Sequence, residues 1–136
     1  MQNKKYKKAL LIDDDKIINY VQQRIIDSFN LADELIVKDS GASALAYLRD
    51  CMLNQRLPDI IFLDLHMPIM TGFDFLVAFD KLIKELHYPW NKNDCKVIVL
   101  TSSYDREDIR KAAENHYVYG YLNKPITKEV IKEIYL

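Results

Sequence analysis

Pro58-Asp59-Ile60-Ile61-Phe62-Leu63-Asp64-Leu65-His66-Met67-Pro68 is the stretch whose reading decides the fold. Ile60 to Leu65 is apolar except at Asp64, and Pro58 bounds it on one side. A short continuous apolar run of this kind predicts a strand buried on both faces, as in the centre of a parallel sheet. The carboxyl end of such a strand is where an open α/β sheet places its chemistry. Asp64 sits at that end. On this stretch alone it is either a turn residue that closes the strand or a chemical group mounted on it.

Working outward, the same grammar repeats. Tyr6 to Ile12 carries the apolar run Ala9-Leu10-Leu11-Ile12 and stops at Asp13-Asp14-Asp15. Ile17, Ile18, Tyr20, Val21, Ile25, Ile26 and Phe29 then form a helical stripe of about four turns, with Asp15 placed to cap it. Leu35-Ile36-Val37 predicts a second, shorter strand, and Gly41 the turn into a helix carrying Ala44, Leu45, Leu48 and Met52. After the strand ending at Asp64, Met67-Pro68 and Thr71-Gly72 form a loop. A helix bearing Phe73, Leu76, Phe79 (or Phe75), Leu82, Ile83 and Leu86 follows.

His87 to Asp94 is a polar loop containing Pro89 and Trp90. Lys96 to Thr101 holds the second uninterrupted apolar run, Val97 to Leu100. A helix from about Asp105 to Asn115 is expected to bury Ile109, Ala112 and Ala113. Tyr119 to Leu122 reads as a last short strand ending at Asn123-Lys124-Pro125, and Thr127 as the cap of a final helix through about Tyr135. Strand and helix alternate five times at spacings suited to right-handed crossovers. The expectation is one (βα)5 domain over residues 1–136, with a parallel five-stranded sheet.

Composition narrows the function class. At 136 residues the chain can bury roughly two-thirds of its extended surface without staples. A net charge of −1 gives no reason to expect nucleic acid, and no apolar run approaches the length of a membrane span. Cys51 and Cys95 lack metal-ligand spacing and read as reduced thiols. Lys4, Lys5, Lys7 and Lys8 read as a solvated N-terminus, and no signal peptide is apparent, so a cytoplasmic protein is expected.

In a parallel sheet all strand C-termini share one edge. Asp13 and Asp14, Asp64, Thr101 and Lys124 stand at four of the five ends. Each has a plain alternative as a turn, cap or solvent-facing group; their coincidence points to a site. Three carboxylates held together must protonate or share a cation, and oxygen-only ligands suit a hard divalent ion such as Mg2+. Such an ion, an ammonium and a hydroxyl together make a receptor for a phosphoryl group, with a carboxylate as nucleophile.

At these residues the sequence resembles the receiver domain of two-component response regulators, CheY-like, over Ala9 to about Ile131. The resemblance rests on Leu11-Ile12-Asp13-Asp14-Asp15, on Leu63 to Pro68 followed by Thr71-Gly72, on Val99-Leu100-Thr101-Ser102, and on Gly120 to Pro125. It implies the flavodoxin-like strand order 2-1-3-4-5. It further implies that Asp64 accepts a phosphoryl group from a histidine kinase, a phosphotransfer protein or a small phosphodonor. Mg2+ would be bound by Asp14, Asp64 and the backbone carbonyl of His66, with Asp13 acting through a coordinated water. Lys124 would pair with Asp64 and then with the phosphoryl group, Thr101 would hydrogen-bond it, and Tyr121 would be the switch aromatic. His66 and Ser103 would tune hydrolysis. Lys124-Pro125 is expected to be cis.

The family usually carries glycine in the turn before the last strand. Here Asn115-His116-Tyr117 stands there, which makes Asn115 the candidate for the left-handed position. The chain ends twelve residues past Lys124, so a short last helix is expected. With no output domain in this sequence, a downstream protein partner is expected at the face of the fourth helix, fifth strand and fifth helix. Tyr104, Tyr117, Tyr119, Tyr121 and Tyr135 concentrate there, although Tyr117 and Tyr119 are rather expected to fill the edge of a short sheet.

The implied protein is a switch that catalyses its own phosphorylation and dephosphorylation, not a conventional enzyme. A phosphotransfer intermediate in a multistep relay, or a docking module with little phosphorylation dependence, are the alternatives. An aspartate-based phosphatase would need a second Asp where His66 stands. A P-loop enzyme would need a glycine-rich loop, and the chain has three glycines in all.

Overall fold

The computed structural model describes residues 6–127 together with 129 and 130. In chain order the elements are β1 (Tyr6–Ile12), α1 (Lys16–Ser28), β2 (Ala32–Lys38), α2 (Gly41–Leu53), β3 (Ile60–Leu63), α3 (Gly72–Glu85), β4 (Lys96–Thr101), α4 (Arg106–Glu114) and β5 (Val118–Asn123). The five strands form one parallel sheet in the order β2-β1-β3-β4-β5.

The uninterrupted apolar runs are explained by two core layers, one on each face of the sheet. Leu10, Ile12, Ile61, Leu63, Val97 and Val99 face α2, α3 and α4. Their strand neighbours Ala9, Leu11, Ile60, Phe62, Ile98 and Leu100 face the side that holds Ile26 of α1. With both sides covered, a strand that alternated apolar with polar would bury unpaired polar groups, so the runs Ala9 to Ile12, Ile60 to Leu63 and Val97 to Leu100 are apolar throughout.

Four features differ from the sequence expectation. First, only part of the apolar stripe of α1 is buried: Ile26, Ile25 and Phe29 pack on the core while Ile17 is 76% exposed, and Asn19 and Gln22 are buried beside Ile26. The two amides are buried because each has work there: Asn19 Nδ2 donates to the Asp13 carbonyl at 2.7 Å, and Gln22 Oε1 accepts from Ile126 N at 3.3 Å. Second, α4 buries Ala112 alone, with Ile109 and Ala113 exposed. Its short first turn leans on polar bonds instead, with Asp105 as cap.

Third, Asn115 is extended (φ −77°, ψ 128°), not left-handed. Its side-chain oxygen accepts from Tyr117 N at 2.9 Å, which shapes the turn without a positive φ. The left-handed residues closing helices are Asn30, Gln55 and His87, after α1, α2 and α3. Each sits in a paired-bond C-cap. In the first of these, Asn30 N donates to Asp27 O and Leu31 N to Ile26 O. Gly41 opens α2 as expected, capped by Ser40, whose hydroxyl accepts from Ser43 N at 3.1 Å.

Fourth, β5 carries a one-residue irregularity: Val97 pairs with Val118, but Ile98 pairs with Gly120. Tyr119 is the extra residue. Because strand side chains alternate, Val118 and Tyr121 could not otherwise share a face; the bulge turns both toward the α4 side.

At the opposite end of the sheet, Tyr117 is buried with its hydroxyl donating to Asp80, and it packs edge-on to Phe79 and Trp90. It fills the sheet edge, while Tyr104 is 74% exposed. Thr127 accepts from Val130 N at 3.2 Å, as a cap does; the remainder of the expected last helix, with Tyr135, lies outside the described residues. Among those described, no helix is long and apolar enough to cross a membrane.

Candidate functional site

Strand register brings the site together. Ile12 pairs with Leu63, and Asp64 N donates to Ile12 O at 3.0 Å, so Asp13 and Asp64 leave adjacent strands at the same level. Leu63 pairs with Val99 and Thr101 with Asn123; Lys124 N then donates to Thr101 O at 2.9 Å. Four strands thus deliver Asp13, Asp64, Thr101 and Lys124 to one corner of the sheet edge. Asp13, Asp64 and Thr101 are buried and Asp14 is exposed. The Lys124-Pro125 peptide is cis.

Lys124 Nζ is the hub, bonded to Asp13 Oδ2 and 3.5 Å from Asp64 Oδ1. Its side chain is only 11% exposed, so these attractions act through little water. One ammonium cannot neutralise three acids. Burial raises the Asp64 pKa above the ordinary carboxylate value and the charge of Asp13 adds to this, while Lys124, the Thr101 hydroxyl and the His66 N–H pull it back.

Ligand oxygens of Asp13, Asp14 and Asp64 lie within 4.8 Å of one another. An all-oxygen, net-negative set with one exposed member fits a hard divalent cation that keeps several waters. The His66 ring is engaged elsewhere, its Nε2 at 2.9 Å from Asp108 Oδ2.

The backbone around Asp64 is close-fitted. Gly72, the first residue of α3, sits where a Cβ would come within 2.5 Å of the Asp64 carbonyl and 2.8 Å of Leu65 Cα. Its N–H donates to Leu65 O at 2.9 Å, and Thr71 and Asp74 form a reciprocal capping box. In the loop between, Ile69 has φ 70° and is fully exposed, a conformation that β-branched residues seldom adopt.

Around Thr101 the β4–α4 loop is knitted to β5. Ser103 O accepts from the Tyr121 hydroxyl at 2.9 Å and from Asn123 Nδ2 at 2.8 Å. Every site residue expected from the sequence therefore lies at this edge. Asn19, Asp108 and Asn123 belong to it as well, without a role expected from the sequence. Asn19 and Gln22 could have been found from their i, i+3, i+7 spacing with Ile26; Asp108 and Asn123 carry no comparable signal. Neither cysteine takes part: both are buried, and burial pushes the Cys95 thiol up to about 12.

The family model of the response regulator receiver domain matches residues 9–135. An uncharacterized response regulatory protein of Staphylococcus epidermidis is 30% identical over 129 residues, covering 93% of this chain and 44% of that protein. The transcriptional regulatory protein HptR of Staphylococcus aureus is 31% identical over 121 residues, covering 88% of this chain and 41% of the other. This chain therefore spans less than half the length of these curated relatives. Among solved structures, a two component response regulator from Cytophaga hutchinsonii superposes with a TM-score of 0.85 at 31% identity, covering 97% of this chain and 96% of that one. The receiver domain of the histidine kinase CKI1 from Arabidopsis thaliana, crystallised with Mg2+ and BeF3−, shares the fold with a TM-score of 0.78 at 24% identity, covering 95% of this chain and 89% of the other. With a family match over nearly the whole chain and the same fold in a relative at 31% identity, the chain belongs to the response regulator receiver domain family.

Proposed function

We propose that Asp64 is a phosphoacceptor, receiving a phosphoryl group from a sensor histidine kinase or a phosphotransfer protein, and that its phosphorylation switches binding of a protein partner. The observation that supports this best is the convergence of three carboxylates and one buried lysine at the end of β3. The Asp64 carboxylate attacks phosphorus, an O–P bond forms as the donor's N–P bond breaks, and an acyl phosphate results. Asp13, Asp14, Asp64 and the main-chain carbonyl of His66 would hold Mg2+. Bound there, the ion supplies positive charge against the oxygens of the phosphoryl group. Lys124 supplies a second positive charge, already within 3.5 Å of Asp64, and the Thr101 hydroxyl a hydrogen bond. Movement of Thr101 toward the phosphoryl group would release Tyr121 from Ser103 and alter the α4–β5 surface read by a partner.

The test is intact-mass measurement after treatment with acetyl phosphate and Mg2+. Wild type should gain the mass of one phosphoryl group, and Asp64→Asn should gain none. A gain on both proteins, or on neither, would remove Asp64 from this role.

A further inference from the structure

One carboxylate oxygen outside the acidic cluster joins the two loops that flank it. Asp108 Oδ2, in the first turn of α4, accepts the Ser103 hydroxyl at 2.7 Å and faces His66 Nε2 at 2.9 Å. A carboxylate oxygen accepts, so the bond from His66 runs through an N–H at Nε2. The Asp108 side chain is 16% exposed and that of His66 63%, so the bond to the half-buried Ser103 is the more shielded of the two.

Ser103 carries the connection inward. Its N–H donates to Thr101 Oγ1 at 3.3 Å, its hydroxyl accepts from Asp105 N at 3.2 Å, and its carbonyl holds both Tyr121 and Asn123. His66 follows Asp64 by two positions, and Ser103 follows Thr101 by two. Asp108 thus fastens the loop after the acceptor strand to the loop after the hydroxyl strand, one residue away from both Thr101 and Tyr121.

We propose that Asp108 is a positioning residue that clamps His66 to Ser103 and so holds the β4–α4 loop, Thr101 and Tyr121 in the unphosphorylated arrangement. The inference rests on the phosphoacceptor reading of Asp64. If the Thr101 hydroxyl is to close on a phosphoryl oxygen, the loop carrying it has to travel, and the clamp limits that travel. A protein held mostly in the clamped arrangement binds a phosphoryl analogue with an apparent affinity reduced by the fraction that is open.

The test uses beryllofluoride with Mg2+, titrated by 19F NMR into wild type, Asp108→Ala and Asp108→Asn; Mg2+ alone is titrated separately. Both variants are expected to bind beryllofluoride several-fold tighter, with unchanged affinity for Mg2+ alone, which a general loss of structure would not produce. Ser103→Ala should give part of the gain, and none on top of Asp108→Ala. Asp108→Asn, isosteric and on a solvent-facing helix turn, keeps the test open if the alanine variant folds poorly. Unchanged or weaker beryllofluoride binding in both variants would overturn the clamp while leaving the reading of Asp64 in place. Failure of wild type to bind, or binding by Asp64→Asn equal to wild type, would overturn both.

Discussion

Asp64 is asked to be an anion in a place that disfavours anions. Burial and Asp13 raise its pKa, and the nearby ammonium of Lys124 only partly offsets them. For a carboxyl whose folded pKa lies above its unfolded one, the fold prefers the protonated form. That preference adds stability below the ordinary value of about 4 and is lost as pH rises through the folded pKa. At neutral pH the fold therefore carries the cost of the charge. Asp64→Asn should raise the Tm at pH 7 by about 4 °C, the response of a domain of this size to about 1 kcal/mol. The gain should fade as the pH is lowered toward about 4, where the wild-type carboxyl also becomes neutral. Calorimetry at several pH values checks this; a lower Tm at pH 7 would mean that the Lys124 attraction outweighs burial.

At the scale of elements, β3 and α3 are built as one mount. The helix begins so close to the end of β3 that Gly72 leaves no room for a side chain, and the obstructing atoms are backbone, which cannot rotate away. Gly72→Ala should destabilise the protein by about 2 kcal/mol in urea unfolding, the usual cost of overpacking, despite alanine's better helix propensity. It should also slow labelling of Asp64, because the strand end would have to shift. A variant as stable as wild type would show that the junction is looser than these distances imply. Helix ends show the opposite economy: three helices close on Asn30, Gln55 and His87 in left-handed backbone, without glycine. The paired C-cap bonds and the burial of Leu31 and Leu57 just beyond two of them hold conformations that the residue types do not favour.

At the scale of the molecule, the parallel sheet concentrates like charges at one edge while its two core layers supply the stability that tolerates them. A cation relieving that repulsion should stabilise the whole fold by mass action. Mg2+ at tenfold its Kd is expected to add about 1.4 kcal/mol to unfolding stability. Asp14→Ala should abolish the increment and, because Asp14 is exposed, leave the metal-free stability nearly unchanged. Thermal melts of both proteins with and without Mg2+ check this, and an equal shift in the variant would exclude Asp14 from the cation site.

The sequence by itself determined the layers and the edge. A strand covered on both faces must be apolar throughout and a half-covered helix must be periodic, so burial writes the elements into local pattern, and the polar residues that end the strands mark one side of the sheet. Only the tertiary structure decided which of those residues touch. Asp13 and Lys124 meet across 111 positions because of hydrogen-bond register between strands, and Tyr121 faces α4 because β5 carries an extra residue at Tyr119. Register, a bulge, a buried amide face on α1 and a clamp through Asp108 all depend on partners distant in the chain, and a local pattern holds no record of a partner.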